Sequence, residues 1–155
     1  MRIKNSLVFL LMGILFFSCD KKRVFDEYHS VGSAWHKDST VTFELPELDS
    51  TKHYDLFVNL RSNDNYPFNN LFLIVALELP NGFTKVDTLE YQMANPDGTL
   101  LGEGFTDIKE SKLFYKEKVK FRGKYKVYIK QAVRETGKVP GVEELEGITD
   151  VGFRI

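Results

Sequence analysis

The feature that most constrains the fold of this chain is a repeated alternation of apolar and polar residues. In the first such run Val41, Phe43 and Leu45 alternate with polar neighbours, and successive side chains of a β-strand point to opposite faces of its sheet. No long stretch repeats its apolar residues with the helical period of 3.6 residues. The pattern predicts about seven to eight strands, of which we delimit residues 41–45, 54–61, 71–79, 83–93, 113–121, 124–133 and 151–155.

Strands at this spacing are typical of an all-β protein. We therefore predict an antiparallel β-sandwich, Ig-like or jelly-roll-like, with a closed barrel as the alternative arrangement. Residues 71–79 are apolar at almost every position, which predicts a strand that is covered on both faces or central in its sheet. Residues 113–121 and 124–133 are predicted to pair as a hairpin across a turn at Gly123.

The remaining segments are predicted connections. Residues 62–70 are dense in Asn, Asp and Pro, and residues 94–112 contain several glycines, so both are predicted loops. Long loops in compact domains often serve function. Residues 140–147 are predicted to form one short helical turn.

The N-terminus has the profile of a lipoprotein signal. Arg2 and Lys4 precede an apolar run over residues 7–17, which is shorter than the roughly 20 residues that span a bilayer. Cys19 follows a small residue, as expected where the thiol is acylated and the chain is cut just before it. An ordinary signal peptide and a transmembrane anchor are the alternatives. Cys19 is the single cysteine of the chain, so no disulfide can form within it.

We therefore divide the chain into three segments. Residues 1–18 are a lipoprotein signal peptide, residues 19–39 a lipidated N-terminal tether that packs in part on the domain, and residues 40–155 a single β-sandwich domain. Without residues 1–18 the chain keeps 19 of its 21 basic residues and all 22 acidic ones, a net charge of about −3. Nucleic-acid-binding domains are usually strongly basic, so nucleic acid is not an expected partner.

Lysines form the candidate partner-binding surface. If residues 113–121 and 124–133 pair as a hairpin, their polar residues share one outer face. Such a basic stripe either keeps an exposed sheet soluble or docks an acidic partner protein or anionic envelope material. Its members are Lys116, Lys118, Lys120, Lys124, Lys126 and Lys130.

Three aromatic residues form a second candidate contact. Trp35, Tyr66 and Phe68 lie in predicted connections, where they either build a platform on which sugars stack or close the ends of the core. The three histidines lack metal-ligand spacing, and no nucleophile motif or carboxylate pair indicates catalysis. We therefore expect a protein that is not an enzyme and has no metal or cofactor.

Three long stretches resemble one known family. They are NDNYPFNNLF at residues 63–72, ANPDGTLLGEGFTDIKESKLFYKE at residues 94–117 and VEELEGITDVGFRI at residues 142–155. These stretches are similar to the GldH-type gliding-motility lipoproteins of the Bacteroidota, and the resemblance runs over residues 24–155. It implies an envelope lipoprotein needed for gliding and associated with type IX secretion, with no known catalytic residues.

The resemblance also sets expectations for location and partners. It implies a membrane anchor through the lipid on Cys19, and protein partners in the gliding or secretion machinery. Basic residues follow Asp20 instead of the acidic run that resembles a surface-export signal in these bacteria. We therefore expect a domain that faces the periplasm, at either the inner or the outer membrane. We expect a structural or assembly component; a non-catalytic binding module for envelope glycan or exported polysaccharide is the alternative.

Overall fold

The computed structural model describes residues 22–155, which form an all-β sandwich. The predicted signal peptide and Cys19 lie outside the described residues. Within the described range there is no helix, and alternating runs of β-branched, aromatic and polar residues form the longer strands. In chain order the strands are β1 (Asp26–Ser30), β2 (Ala34–His36), β3 (Val41–Glu44), β4 (Tyr54–Ser62), β5 (Asn70–Glu78), β6 (Thr84–Gln92), β7 (Lys109–Val119), β8 (Lys126–Gln131), β9 (Glu144–Glu146) and β10 (Ile148–Arg154).

The strands form two antiparallel sheets of four strands and a small ribbon. The first sheet has the order β1-β10-β4-β7, the second sheet has the order β3-β8-β5-β6, and β2 pairs with β9 in the ribbon. Both larger sheets keep free edges, so neither closes into the barrel that was the alternative arrangement. Strand β5 has partners on both sides, which confirms the prediction of a central strand for residues 71–79.

The inner faces of the two sheets pack on each other. Leu56, Val58 and Leu60 of β4 and the alternate residues of β5 are fully buried. Phe43 of the second sheet meets Phe153 of the first with ring centroids 6.1 Å apart. Each such side chain contributes about 1.5–3 kcal/mol by leaving water, so the alternation along the strands drives the two layers together.

One edge of the sandwich is closed by side-chain contacts between β6 and β7. The Tyr115 hydroxyl donates to Asp87 Oδ2 over 2.8 Å, and Lys116 Nζ lies 2.7 Å from the same oxygen. The Tyr91 hydroxyl donates to the Phe114 carbonyl over 2.8 Å. Because β6 and β7 belong to different sheets, these bonds connect the two layers at an edge that the backbone leaves open.

The structure has ten strands where about seven to eight are expected, and the three additional ones are short or polar. β1 has the sequence DEYHS, without apolar alternation, and β2 and β9 have three residues each. The predicted helical turn at residues 140–147 is wrong, because Leu145 is fully buried opposite Trp35 in the ribbon. In the predicted tether, residues 26–36 contribute β1 and β2, so the sheets begin before residue 40.

The predicted hairpin between residues 113–121 and 124–133 is also wrong. β7 pairs with β4 in the first sheet, whereas β8 pairs with β3 and β5 in the second. The chain crosses between the layers through Phe121, which is buried against Tyr54 and Tyr125 with centroid distances of 5.9 and 4.8 Å. Alternation shows which residues point inward. Because the inward residues of both sheets enter one common core, alternation does not identify the partner strand.

Candidate functional site

The six candidate lysines do not share one face, because their strands lie in different sheets. Lys116 and Lys118 belong to the first sheet, while Lys126 and Lys130 belong to the second. Lys120 and Lys124 lie in the connection between the two layers. The predicted basic stripe is therefore divided, and its members have different surroundings.

Two of these lysines are held in ion pairs and a third is held by its backbone. Lys116 pairs with Asp87, and Lys126 Nζ lies 3.1 Å from Glu44 Oε1. Lys118 has φ of 53° and its backbone N–H donates to Asp55 Oδ1 over 3.0 Å. Within residues 22–155, Lys120, Lys124 and Lys130 have no ion pair, so these three keep a free positive charge.

The three candidate aromatic residues lie mostly inside the domain. Trp35 is fully buried and its Nε1–H donates to the Ser39 carbonyl over 3.1 Å. Tyr66 is also buried and donates its hydroxyl to the Asn70 carbonyl over 2.7 Å. Phe68 meets the Tyr66 ring edge-to-face and is half-buried. Trp35 and Tyr66 thus close the core, and Phe68 alone of the three offers part of its ring to a ligand.

An apolar groove of about 510 Å³ lies on the outer face of the second sheet. Phe72 and Ile74 of β5 form its floor, and Ala132 and Val142 form one wall. We call it the β5–β8 groove. Its floor follows from the sequence of β5, which is apolar on its outward as well as its inward side.

Positive charge lies on the β8 side of the β5–β8 groove, whereas Glu90 of β6 stands opposite Phe72 on the other side. Lys37 and Arg134 are among the residues that line it, and none of the lining residues is acidic. Lys130 lies opposite Ile74 in the register of β8 with β5, so it stands on the same face. Lys37 Nζ lies 3.8 Å from Glu143 Oε1, whereas Lys130 and Arg134 have no ion pair within residues 22–155.

A buried glutamine holds the wall of this groove in place. Gln131 Nε2–H donates to the Val142 carbonyl over 2.8 Å and lies 3.4 Å from the Trp35 carbonyl. Gln131 Oε1 accepts the Val133 N–H over 3.0 Å. Because a buried amide is costly unless it is satisfied, these bonds tie β8 to both chains of the ribbon region. Gln131 could not be identified as a functional position from the sequence, because it is an ordinary polar residue at a strand end.

A second, more polar depression of about 820 Å³ adjoins the groove at Arg134. Phe68 contributes an aromatic ring to it, and Asn70, Gln92 and Asn95 contribute amides. Asn70 Nδ2 already donates to Glu90 and Asn95 Nδ2 to Thr99. Their amide oxygens remain available as acceptors for a polar ligand.

The shifted pKa values leave the affected groups in their ordinary ionisation states near neutral pH. Burial raises the pKa of Tyr91 to about 12. Burial, and then the hydrogen bond to Asp87, raise the pKa of Tyr115 above its ordinary range. The hydrogen bond from Lys116 lowers the pKa of Asp87. These groups neither gain nor lose a proton near pH 7, so they are not suited to acid–base catalysis there.

Residues 22–155 contain neither a candidate metal-binding cluster nor a candidate membrane-spanning helix. In this range no three His, Cys, Asp or Glu side chains come together in a way that could hold a metal ion. The same range has no helix with the length and hydrophobicity needed to cross a bilayer.

The chain is similar to a known protein family and to two known proteins. A family model described as "GldH lipoprotein" matches residues 23–155. "Gliding motility lipoprotein GldH" of Flavobacterium johnsoniae is 83% identical over 155 residues, which cover 100% of this chain and 98% of the relative. "Gliding motility lipoprotein GldH homolog" of Christiangramia forsetii is 61% identical over 150 residues, which cover 96% of this chain and 92% of the relative. No solved structure matches the chain.

Proposed function

This chain belongs to the GldH lipoprotein family, and we propose that it acts as a non-catalytic assembly component of the gliding-motility apparatus, associated with type IX secretion. It is thus a gliding-motility lipoprotein of the cell envelope. The family membership covers the whole sandwich, so the proposal concerns the domain as a unit.

One observation carries the assembly role: an outer sheet face that is apolar where water would favour polar residues. Phe72, Ile74 and Ala76 point outward along β5, and Val86 of the neighbouring strand is 62% exposed. The outer face of an antiparallel sheet is usually polar, and contiguous exposed apolar patches usually mark interaction sites. A flat apolar face supports binding of another protein more than it supports catalysis.

The anchor completes the proposal. We propose that residues 1–18 are removed and that lipid on Cys19 holds the domain at the periplasmic side of a membrane. Val24 N–H already donates to the Ile155 carbonyl over 2.9 Å, so few residues separate Cys19 from the sheet. Those residues reach at most about 20 Å when extended. The partner would therefore be met close to the membrane surface.

A crosslinking pull-down from native envelopes tests this function. Envelopes from gliding cells that carry the full-length chain are compared with envelopes that carry Cys19→Ala. We expect gliding or secretion components to co-purify with the wild type and to be lost, together with the membrane association, in the variant. Lys120→Ala is a control that leaves the anchor unchanged. If Cys19→Ala stays membrane-bound with the same partners, the anchor proposal fails; if neither protein captures envelope components, the assembly role fails.

The polar depression favours a second candidate, a binding module for envelope glycan or exported polysaccharide. An aromatic ring beside several amides is a common way to bind sugars, since the ring stacks on the sugar face and the amides bond its hydroxyls. Phe68 and Asn95 stand in this arrangement. Binding of purified envelope polysaccharide that falls at least about tenfold in Phe68→Ala would favour this function; unchanged binding would exclude it.

A further inference from the structure

We propose that the β5–β8 groove binds a short extended segment of a partner protein in which apolar side chains stand next to Asp or Glu. The apolar side chains would lie on Phe72 and Ile74, and the carboxylates would pair with Lys130 and Arg134. This inference rests on the proposed function, because it takes the chain to act through protein partners.

The two ends of the second sheet differ in how their charged groups are paired. At one end Lys126 pairs with Glu44, and the Tyr128 hydroxyl donates to Glu78 over 2.7 Å, so the polar groups there satisfy one another. At the other end Lys130 and Arg134 stand beside apolar floor without an ion pair among the described residues. A charge that is left free beside apolar surface favours a ligand of opposite charge.

The shape and stiffness of the groove suit a short extended segment. Its volume of about 510 Å³ lies within the roughly 300–1,000 Å³ of sites that hold small ligands, so it fits a few side chains and not a whole protein face. The hydrogen bonds of Gln131 fix one wall through the Val142 carbonyl. A wall fixed in advance lowers the ordering cost of binding, which suits an extended segment that itself loses freedom.

A second copy of this chain suits the groove less well than a foreign segment does. An isologous dimer brings the same surface of both copies together. Groove against groove, the free charges of Lys130 and Arg134 in both copies would be enclosed in one interface, to which the groove lining contributes no carboxylate. Like charges in contact are unfavourable, so a foreign acidic segment suits this surface better than the chain itself does.

Site-specific photo-crosslinking in gliding cells tests the proposal. A photoreactive amino acid replaces Thr88, which lines the groove on exposed β6. The matched control places it at Thr84, an exposed residue that lies four positions before Thr88 on the same face of β6, at the far end of the strand. Mass spectrometry then identifies the crosslinked peptide. We expect position 88 to capture a protein segment with apolar residues next to Asp or Glu, at least about tenfold more than position 84.

Charge variants show whether the capture depends on the proposed contacts. Lys130→Glu with Arg134→Glu should lower the crosslink at position 88 at least about tenfold. The control pair Lys120→Glu with Lys124→Glu makes the same change in net charge away from the groove and should leave the crosslink unchanged. Changing the acidic residues of the captured segment to Lys should restore crosslinking to the Lys130→Glu, Arg134→Glu protein. Thermal unfolding of both double variants checks that each remains folded.

Several results would overturn the inference. The inference fails if position 88 captures a basic or uncharged segment, a lipid or glycan, or a second copy of this chain. It also fails if both positions crosslink equally, or if position 88 gives no crosslink in folded, anchored protein. Co-purification from the same cells separates the two proposals. If gliding components still co-purify while position 88 captures nothing, the groove assignment fails alone; if nothing co-purifies, the proposed function fails as well.

Discussion

The contact of Asp87 with Tyr115 and Lys116 should make the sandwich edge sensitive to pH. Asp87→Asn removes the negative charge but keeps an oxygen that can accept the Tyr115 hydrogen bond. Hydrogen bonds to charged groups contribute roughly 1.5–3 kcal/mol, while exposed ion pairs contribute about 0–1 kcal/mol. The side chains of Asp87 and Lys116 are 35% and 32% exposed, so this contact lies between a buried and a fully exposed ion pair. We therefore expect Asp87→Asn to lower the free energy of unfolding by about 1 kcal/mol at pH 7.

The direction of the pH dependence follows from the pKa of Asp87. The hydrogen bond from Lys116, and then that from Tyr115, lower this pKa in the folded protein, whereas an unfolded Asp has a pKa of about 3.9. The carboxylate therefore stabilises the fold above about pH 4, and this contribution is lost as the pH falls through the lower, folded-state pKa. The difference between wild type and Asp87→Asn should therefore shrink as the pH falls below about 4.

Urea denaturation measures this difference. Trp35 is the single tryptophan and is fully buried, so its fluorescence reports unfolding. Lys120→Gln serves as the control, since it removes a lysine that has no ion pair within residues 22–155, and it should change the free energy of unfolding by less than about 0.5 kcal/mol. If Asp87→Asn differs from the wild type by the same amount at pH 7 and in acid, the ionised carboxylate does not stabilise this edge.

Three further substitutions test the backbone and the core with the same urea denaturation. Gly147→Ala should lower the free energy of unfolding by at least about 2 kcal/mol, because φ is +83° and the new Cβ would lie 2.2 Å from a backbone nitrogen. Gly98 has a similar φ but open space around it, so Gly98→Ala should lower the free energy of unfolding by less. Equal losses in the two variants would show that the clash at Gly147 does not matter. Lys118→Gly should raise the free energy of unfolding by about 0.5 kcal/mol, since glycine adopts the φ of 53° at this position without strain. A clear decrease in the free energy of unfolding would show that the backbone at Lys118 is not strained. Phe153 is fully buried and Phe105 is fully exposed. Phe153→Ala should therefore lower the free energy of unfolding by about 3–5 kcal/mol, and Phe105→Ala by less than about 0.5 kcal/mol. Similar effects of the two substitutions would contradict the assigned core.

Much of the fold could be predicted because inward and outward side chains alternate along the longer strands. The alternation at Val41 and Phe43 marks β3, and the apolar run of residues 71–79 marks β5 as central. Three strands could not be predicted in this way. β2 and β9 are too short to show a period, and they form because Trp35 and Leu145 bury each other across the ribbon, a contact between residues far apart in the chain.

The candidate site was less predictable, because it depends on which strands become neighbours. The lysine stripe rested on pairing of β7 with β8, and the two strands lie in different layers. Lys130 keeps a free charge next to apolar surface only because β8 pairs with β5. The buried role of Gln131 depends on the same pairing. In contrast, the family resemblance rested on long sequence stretches and not on the fold, and it is confirmed.

The position of β10 has a consequence for the order in which the sandwich can form. β10 is an inner strand, with β1 on one side and β4 on the other, although residues 148–154 are made long after both partners. Until they emerge, β1 has no neighbour in the first sheet, and the inner faces that receive Phe153 and Val151 stay incomplete. Contacts between residues so distant in sequence form slowly. The first sheet can therefore be completed only after its last strand is available, so the end of the chain controls when the sandwich closes.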